Sequence, residues 1–422
     1  LARWMGCIGM TREPEQDTRK LEGNLKAYTI YLLGREGYFW MPVFFLYFSA
    51  HLPIAQVLLL EAVYYIAVVL LEVPSGWASD RFGRRPTLVL SSLAMFASYV
   101  LFFLFPGDWG VWAVAQVLLA AGLALASGTD TSLLYDSLAA LGRADEYGDR
   151  EAKLGRLSSF VMAAGALIGG ASSLLDARWA YGVSALFITL SLGASVAMVE
   201  PERAHRAQKI RMQLLACARL LRRPAVGWLF FLGGVFVMLS HVPYEFYQPY
   251  IALEERMGGD FTPLISGVHA SLAMFLAGWA AGASMWFVRR SGTRRVLIVG
   301  GLLQVGMIGV MGMFLHPVIV LLLLARGVPS ALTRAPLRQA LMPRIGESVR
   351  ATFLSLLSLF GRLLFAGVLA LLAFAIPDGV GESMWGVLSA RLLLASGVGV
   401  LAMVVVLLWA GAIRGSWEED GK

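Results

Sequence analysis

This sequence predicts an all-α membrane protein of twelve transmembrane helices, arranged as two pseudo-symmetric six-helix bundles. Three observations predict it. Apolar residues make up 58% of the 422-residue chain and charged residues only 15%, against roughly 45–50% and about 25% in soluble domains; the mean hydropathy is +0.69. Twelve runs match the length of about 20 apolar residues that crosses a bilayer. A polar, basic stretch at 200–224 divides those runs six and six.

The runs are 26–49, 54–78, 87–105, 110–138, 154–174, 178–199, 225–250, 263–288, 296–315, 318–341, 351–376 and 384–412. They are too long and too uniformly apolar for barrel strands, and an open strand in lipid would leave its edge groups unpaired. Residues 1–25 are polar and mixed in charge and read as a cytoplasmic tail with no signal peptide, so the first helix serves as its own insertion signal. The six-helix units are 26–199 and 225–412, and 413–422 is a second cytoplasmic tail.

Most of the 35 lysines and arginines fall on one set of alternating loops, and the opposite loops hold only Arg178 and Arg256. By the positive-inside rule both termini are cytoplasmic. The net charge of +7 is then explained by loops facing anionic lipid, with no nucleic-acid partner. Cys7 and Cys217 fall on the reducing side. The five histidines show no ligand spacing, so no structural metal and no cofactor is expected. No P-loop lysine, GxSxG or HExxH occurs. An enzyme and an ATP-driven pump are therefore not expected, and transport would draw on a gradient or be passive.

The linker 200–224 carries Ile210, Leu214, Leu215 and Leu221 at near-helical spacing among basic residues. It reads as an amphipathic helix on the inner membrane face, held to headgroups or coupling the halves. The halves repeat weakly. Setting Gly83 of DRFGRR against Gly292 of RRSGTRR puts Asp80 opposite Arg289 and Arg85 opposite Arg294. GALIGG from Gly165 stands against GRLLFAG from Gly361, and YFWMP ending at Pro42 against EFYQP ending at Pro249.

Residues 76–86 read GWASDRFGRRP, a polar knot between two apolar runs. Gly76 permits close helix approach, and Gly83 a tight turn. Asp80 sits where a carboxylate can cap the N-terminus of another helix. This spacing, with Gly76, Asp80, Arg81, Gly83, Arg84 and Arg85 between the second and third helices of a twelve-helix chain, resembles the signature loop of the major facilitator superfamily. The resemblance implies that Asp80 meets the start of the eleventh helix near Arg350–Thr352 and that Arg84 meets Asp136 of SGTDTSLLYDSL, as parts of a gate. It also implies a monomeric secondary transporter in a bacterial inner (plasma) membrane. Within that family, Gly165, Gly169 and Gly170 partly match the G-P-x-x-G-G of proton-coupled drug antiporters, with Ala166 in place of the proline. These glycines are read either as a smooth packing face or as a conformational element. Where the family often has an arginine in the fourth helix, Gln116 stands here, and Arg326 takes the symmetry-related place.

Ionisable residues in lipid tend to face a cavity and carry function. Arg35 and Glu36 are adjacent in the first helix; residues about 100° apart on a helix are not expected to neutralise each other, so each is expected to seek a partner elsewhere. Glu36, then Asp130, with Glu72, are the candidate proton carriers, Glu72 being read equally as a latch near the inner end. The candidate substrate cavity takes Arg35, Tyr38, Trp40, Glu61, Tyr65, His241, Tyr244, Glu245, Gln248, His269, Arg326 and Arg362. For the aromatics the alternative is packing or interface anchoring, and for Glu61 a place at the outer surface. The function expected is alternating-access transport of a small amphiphilic, drug-like solute, proton-coupled and outward. The alternatives are a symporter or uniporter of a polar or anionic solute, and a transport-dead receptor or scaffold of the same fold.

Overall fold

The computed structural model describes residues 14–172, 176–202, 209–253, 263–375 and 384–412. Residues 1–13 of the expected N-terminal tail, with Cys7, the expected tail 413–422, Arg256 and the side chain of Gln248 lie outside the described residues. Every regular element in the described residues is helical: α1 Pro14–Arg35, α2 Phe44–His51, α3 Ile54–Phe82, α4 Arg84–Leu104, α5 Trp109–Ala126, α6 Thr129–Ala140, α7 Tyr147–Ser172, α8 Arg178–Ala197, α9 Ile210–Leu221, α10 Pro224–Leu253, α11 Pro263–Ser291, α12 Thr293–Met313, α13 Pro317–Leu322, α14 Val328–Leu341, α15 Arg350–Ala375 and α16 Met384–Ala412, with short 3-10 turns.

Eleven stretches among the described residues are long and apolar enough to span a bilayer, and they correspond to the second to twelfth expected runs. The first run is not one helix. The chain leaves α1 after Arg35, passes through Glu36–Val43 as turns, and re-enters a helix only at Phe44. Gly37 lowers helix propensity there, and Pro42 cannot donate a helical hydrogen bond. Two other runs are also interrupted. The fourth breaks at Ser127–Gly128, where Gly128 adopts φ +71°. The tenth passes through a 3-10 turn at Leu323–Ala325 before Val328, with Gly327 and Pro329 at the restart. Irregular backbone at membrane depth is tolerated where protein or a cavity covers it.

The six-plus-six repeat is visible in the packing. In each half the third span packs on the fourth and sixth, α4 on α5 and α8, α12 on α14 and α16. The halves meet along α7 with α11 and α3 with α15, two interfaces that exchange when the halves are exchanged. A glycine of positive φ forms the whole turn between α3 and α4 (Gly83, +124°) and between α11 and α12 (Gly292, +83°). Arg85 then donates to the Val196 carbonyl at the end of α8, and Arg294 to the Ala410 carbonyl at the end of α16. The faint sequence alignment of Arg85 with Arg294 is thus a shared structural contact.

Along α7 and α11 the approach is close because small residues line it. Phe160 stacks on Phe275 at 5.1 Å, and a Cβ on Gly278 would meet the Phe160 ring at 2.7 Å. The glycines of α7 pack differently: a Cβ on Gly169 would lie 1.9 Å from the Phe39 carbonyl oxygen, and Gly165 faces the Tyr38 backbone. Gly165 and Gly169 thus make room for the non-helical segment 36–43, whereas Gly170 faces α11, its Cα 3.7 Å from where a Cβ on Gly267 would lie.

Candidate functional site

The basic-loop face is clasped by a buried ionic chain. Asp80, in the last turn of α3, has no exposed surface. One carboxylate oxygen accepts from Arg84 Nη1 at 2.6 Å and from the Ala351 N–H at 3.2 Å. The other accepts from the Thr352 N–H at 2.8 Å, Thr352 Oγ1 at 2.7 Å and Gln213 Nε2 at 3.3 Å. Ala351 and Thr352 lie in the first turn of α15, whose free N–H groups and dipole favour an anion. Arg84, also fully buried, donates through Nε to Asp136 at 2.9 Å and through Nη2 to the Glu347 carbonyl at 2.9 Å. Arg350 pairs with the other oxygen of Asp136 and lies 4.4 Å from the Tyr135 ring centroid. The charges therefore alternate Asp80, Arg84, Asp136, Arg350, with α15 belonging to one half and the rest to the other. Gly76 completes the approach, since a Cβ there would meet Ser355 Oγ at 2.6 Å. Arg81 is exposed, and Arg85 lies on the outer side of the turn.

Several parts of this clasp were not singled out from sequence. Glu200 accepts from the backbone N–H of both Arg84 and Arg85 at 2.8 Å, capping α4. Glu151 of α7 pairs with Arg338 of α14, and Asp149 pairs with Arg289 at 2.6 Å. Gln213 of the linker helix α9 reaches both Asp80 and the Ser348 carbonyl. A sequence signal existed for the ion pairs: acids in 145–151 face a half whose loops are basic.

A second charged cluster forms where two spans are broken. Arg35, the last residue of α1, pairs with Asp130 at 2.5 Å and also with its neighbour Glu36. The expectation that Arg35 and Glu36 do not neutralise each other is corrected. The 100° rule applies inside a helix, and α1 ends at Arg35, so Glu36 is free to fold back. Asp130 sits in the first turn of α6 and accepts from the Thr131 N–H at 2.6 Å. Glu72, fully buried, accepts from Ser127 Oγ at 2.7 Å at the break before α6, and lies 3.9 Å from Arg362. Both glutamates of α3 thus turn toward α5, because Glu61 accepts from Gln116 Nε2 at 3.1 Å.

Glu61 lines a cavity of about 290 Å³ with Tyr38, Trp40, Tyr65, Gln116 and Tyr244. Its wall is aromatic and ordered: Trp40 stacks on Tyr181 at 6.2 Å and donates to Tyr99 at 3.3 Å. Tyr65 and Tyr244 are about half exposed. Of the other candidates, Arg326 and His269 form a separate group. Arg326 lies 4.3 Å over the Tyr247 ring and contacts His269 Nδ1 at 3.2 Å, and Tyr247 stacks on His269 at 5.7 Å. His241 contacts the Val237 carbonyl at 2.7 Å and the Phe365 ring, and Glu245 is exposed. Arg35, Arg362, His241, Glu245, His269 and Arg326 do not line the aromatic cavity.

No curated protein matches the sequence. Solved structures resemble it over nearly their whole lengths. The human organic anion transporter MFSD10 superposes with a TM-score of 0.69 at 16% identity, covering 93% of this chain and 99% of that one. The proton:xylose symporter XylE gives 0.66 at 15% identity, covering 92% and 95%, and the nucleoside transporter NupG gives 0.64 at 12% identity, covering 92% and 99%. At such identities the likeness is one of fold. A model of the Major Facilitator Superfamily matches residues 27–368. With that match over most of the sequence, and two repeated helical halves joined by a clasp, the chain belongs to the major facilitator superfamily of membrane transporters.

Proposed function

We propose that this protein is a secondary transporter that moves a small amphiphilic solute carrying positive charge by alternating access, coupled to protons and directed outward. The observation that carries the reading is the aromatic cavity with Glu61 on its wall. Aromatic faces attract cations, and Glu61 is met there by a neutral amide rather than a guanidinium. Apolar walls with one placed charge suit a drug-like ligand.

Proton coupling is assigned to Arg35, Glu36 and Asp130. Two carboxylates share one guanidinium, so the trio carries one net negative charge when both acids are ionised and none when one is protonated. The buried Arg334 interacts electrostatically with both Glu36 and Arg35, so protonation changes the charge balance of a buried cluster, which is costly in a membrane and biases the halves between two arrangements. The clasp is the element so biased. Asp80, Arg84, Asp136 and Arg350 hold the basic-loop face shut, and release requires parting Asp80 from α15.

A second reading, transport of an organic anion, is favoured by Arg326, whose partners among the described residues are an imidazole, an aromatic face and the Leu323 carbonyl rather than a carboxylate. One experiment separates the two. Purified protein in proteoliposomes is offered a lipophilic cation, tetraphenylphosphonium, or a lipophilic anion, tetraphenylborate, under an imposed pH gradient. Cation flux that is lost in Glu61→Gln and kept in Arg326→Gln supports the first reading. Anion flux lost in Arg326→Gln replaces it with the second. Absence of flux of either probe, together with no thermal stabilisation by either, overturns both and leaves a non-transporting role.

A further inference from the structure

The linker helix carries a second feature that the transport cycle does not use. A groove of about 470 Å³ lies between α9 and the segment that joins α14 to α15. One wall carries Arg219, in the last turn of α9, and Arg223, in the bend between α9 and α10; the other carries Arg344, and Gly346 and Ser348 complete it. Among the described residues no carboxylate lines the groove. Arg344 is held by its own bond to the Ala340 carbonyl at 2.7 Å, while Arg219 and Arg223 are exposed. Three guanidiniums around one polar hollow make it a favourable place for an anion. Arginine forks match the oxygens of a phosphate in particular.

The position gives the source and the consequence. α9 lies on the basic-loop face, and its exposed Ile210, Met212, Leu214 and Leu215 are suited to the acyl boundary, which sets the groove at headgroup depth. Its buried side holds Gln213, which reaches Asp80 and the Ser348 carbonyl. A ligand spanning Arg219, Arg223 and Arg344 would therefore staple α9 to the residues that lead into Arg350 and Thr352.

We propose that this arginine-lined groove between α9 and residues 343–349 is a phosphate-binding site, and that its occupancy stabilises the clasped arrangement. The phosphate belongs either to an anionic phospholipid headgroup or to a free anion from the aqueous phase. A ligand that binds only the clasped state slows every process requiring release by the factor 1 + [L]/Kd, about tenfold at ten times Kd.

The test uses the full chain and two readouts, thermal unfolding and the alkylation rate of Cys217, which is buried on α9. In detergent, inorganic phosphate is compared with chloride at matched ionic strength. In nanodiscs, phosphatidylglycerol mixed with phosphatidylcholine is compared with phosphatidylcholine alone. The expected result is a higher unfolding temperature and roughly tenfold slower alkylation in at least one arm at saturation, both lost in Arg219→Gln/Arg223→Gln and retained in part by the double lysine variant. Arg344→Gln serves as an independent second variant. A response to inorganic phosphate identifies a soluble anion, and a response confined to phosphatidylglycerol identifies the headgroup. No response in either arm, or a response undiminished in both glutamine variants, overturns the site.

Discussion

The Asp80 carboxylate accepts a 2.8 Å hydrogen bond from the backbone N–H of Thr352, 272 residues away. It is the point where one half of the molecule caps a helix of the other. A side chain that caps a helix within one rigid body only stabilises it. Across two halves that part in the proposed cycle, the same bond would oppose their separation, which puts Asp80 at the centre of the proposed gate.

Asp80→Asn should loosen it. The amide can still accept from Thr352, but it loses the charge that meets Arg84 and the α15 dipole. Breaking a buried ion pair costs about 3–5 kcal/mol, and we expect the lower end, on the order of a hundredfold in the clasped-to-open ratio. Spin labels at the exposed positions Arg81 and Arg290 should report a new, longer distance population. An unaltered distance distribution would remove Asp80 from gating.

Glu36→Gln removes one of the two acids on Arg35 and leaves a one-to-one pair with Asp130. The trio then has no net charge to neutralise. Proton movement coupled to solute should drop to the protein-free background in dye-loaded proteoliposomes, while solute binding and thermal stability hold. Asp130→Asn should behave alike in coupling but cost stability as well, because Asp130 also accepts from the Thr131 N–H in the first turn of α6. Undiminished coupling in both variants would rule out the trio.

Gly169→Ala should destabilise the fold although alanine is the better helix former. Its Cβ would lie 1.9 Å from the Phe39 carbonyl oxygen, and overpacking of this kind costs about 1–3 kcal/mol. Gly193→Ala, with nothing within 4 Å, should instead be neutral or gain up to about 1 kcal/mol from helix propensity. Unfolding temperatures of the two variants in one detergent settle the comparison; equal values would mean that the segment 36–43 yields.

Cys217 gives a pH-dependent reporter. Burial first, and then the negative Asp80, push its thiol from 9.0 up to about 12. The folded state thus prefers the neutral thiol. Its contribution to stability is whole below pH 9 and is lost as pH rises from there toward 12. Alkylation by a maleimide, which needs the thiolate, should be far slower than for a free cysteine at pH 8. It should rise about tenfold per pH unit up to about pH 11, and accelerate in Asp80→Asn, where the linker loses one anchor. A rate equal to that of a free thiol at pH 8 would show that α9 is undocked in solution.

The loop at the heart of the clasp was legible in the sequence because its residues lie close along the chain, whereas its distant partners, Asp136 and the start of α15, were implied only by the resemblance to the major facilitator superfamily. Gly76, Asp80, Gly83 and Arg84 are spaced by helix geometry and a turn, so their local relationship follows from residue types alone. Glu151 and Arg338 carry no such mark. They are 187 positions apart, each reads as an ordinary charge at a helix end, and only the approach of α7 to α14 pairs them. The same holds for Gln213, a polar residue in a basic helix whose importance depends on which side of α9 faces the protein. The misread pair, Arg35 with Glu36, failed for a different reason. Hydropathy averages over a window and sees a run at 26–49, whereas Gly37 and Pro42 act at single positions to end the helix.

Composition and hydrophobic run length dictate that this chain is a bundle of membrane helices with its basic loops gathered on one face, because the costs of burying peptide groups and charges in lipid are large and act residue by residue. Which helices meet is different in kind. The joining of α3 to α15 and of α7 to α11, the folding of Glu36 back onto Arg35, the closing of an aromatic cavity beside Glu61 and the seating of α9 on the clasp all rest on contacts between distant segments. Each such contact is a small difference between competing packings, and only the assembled fold decides among them.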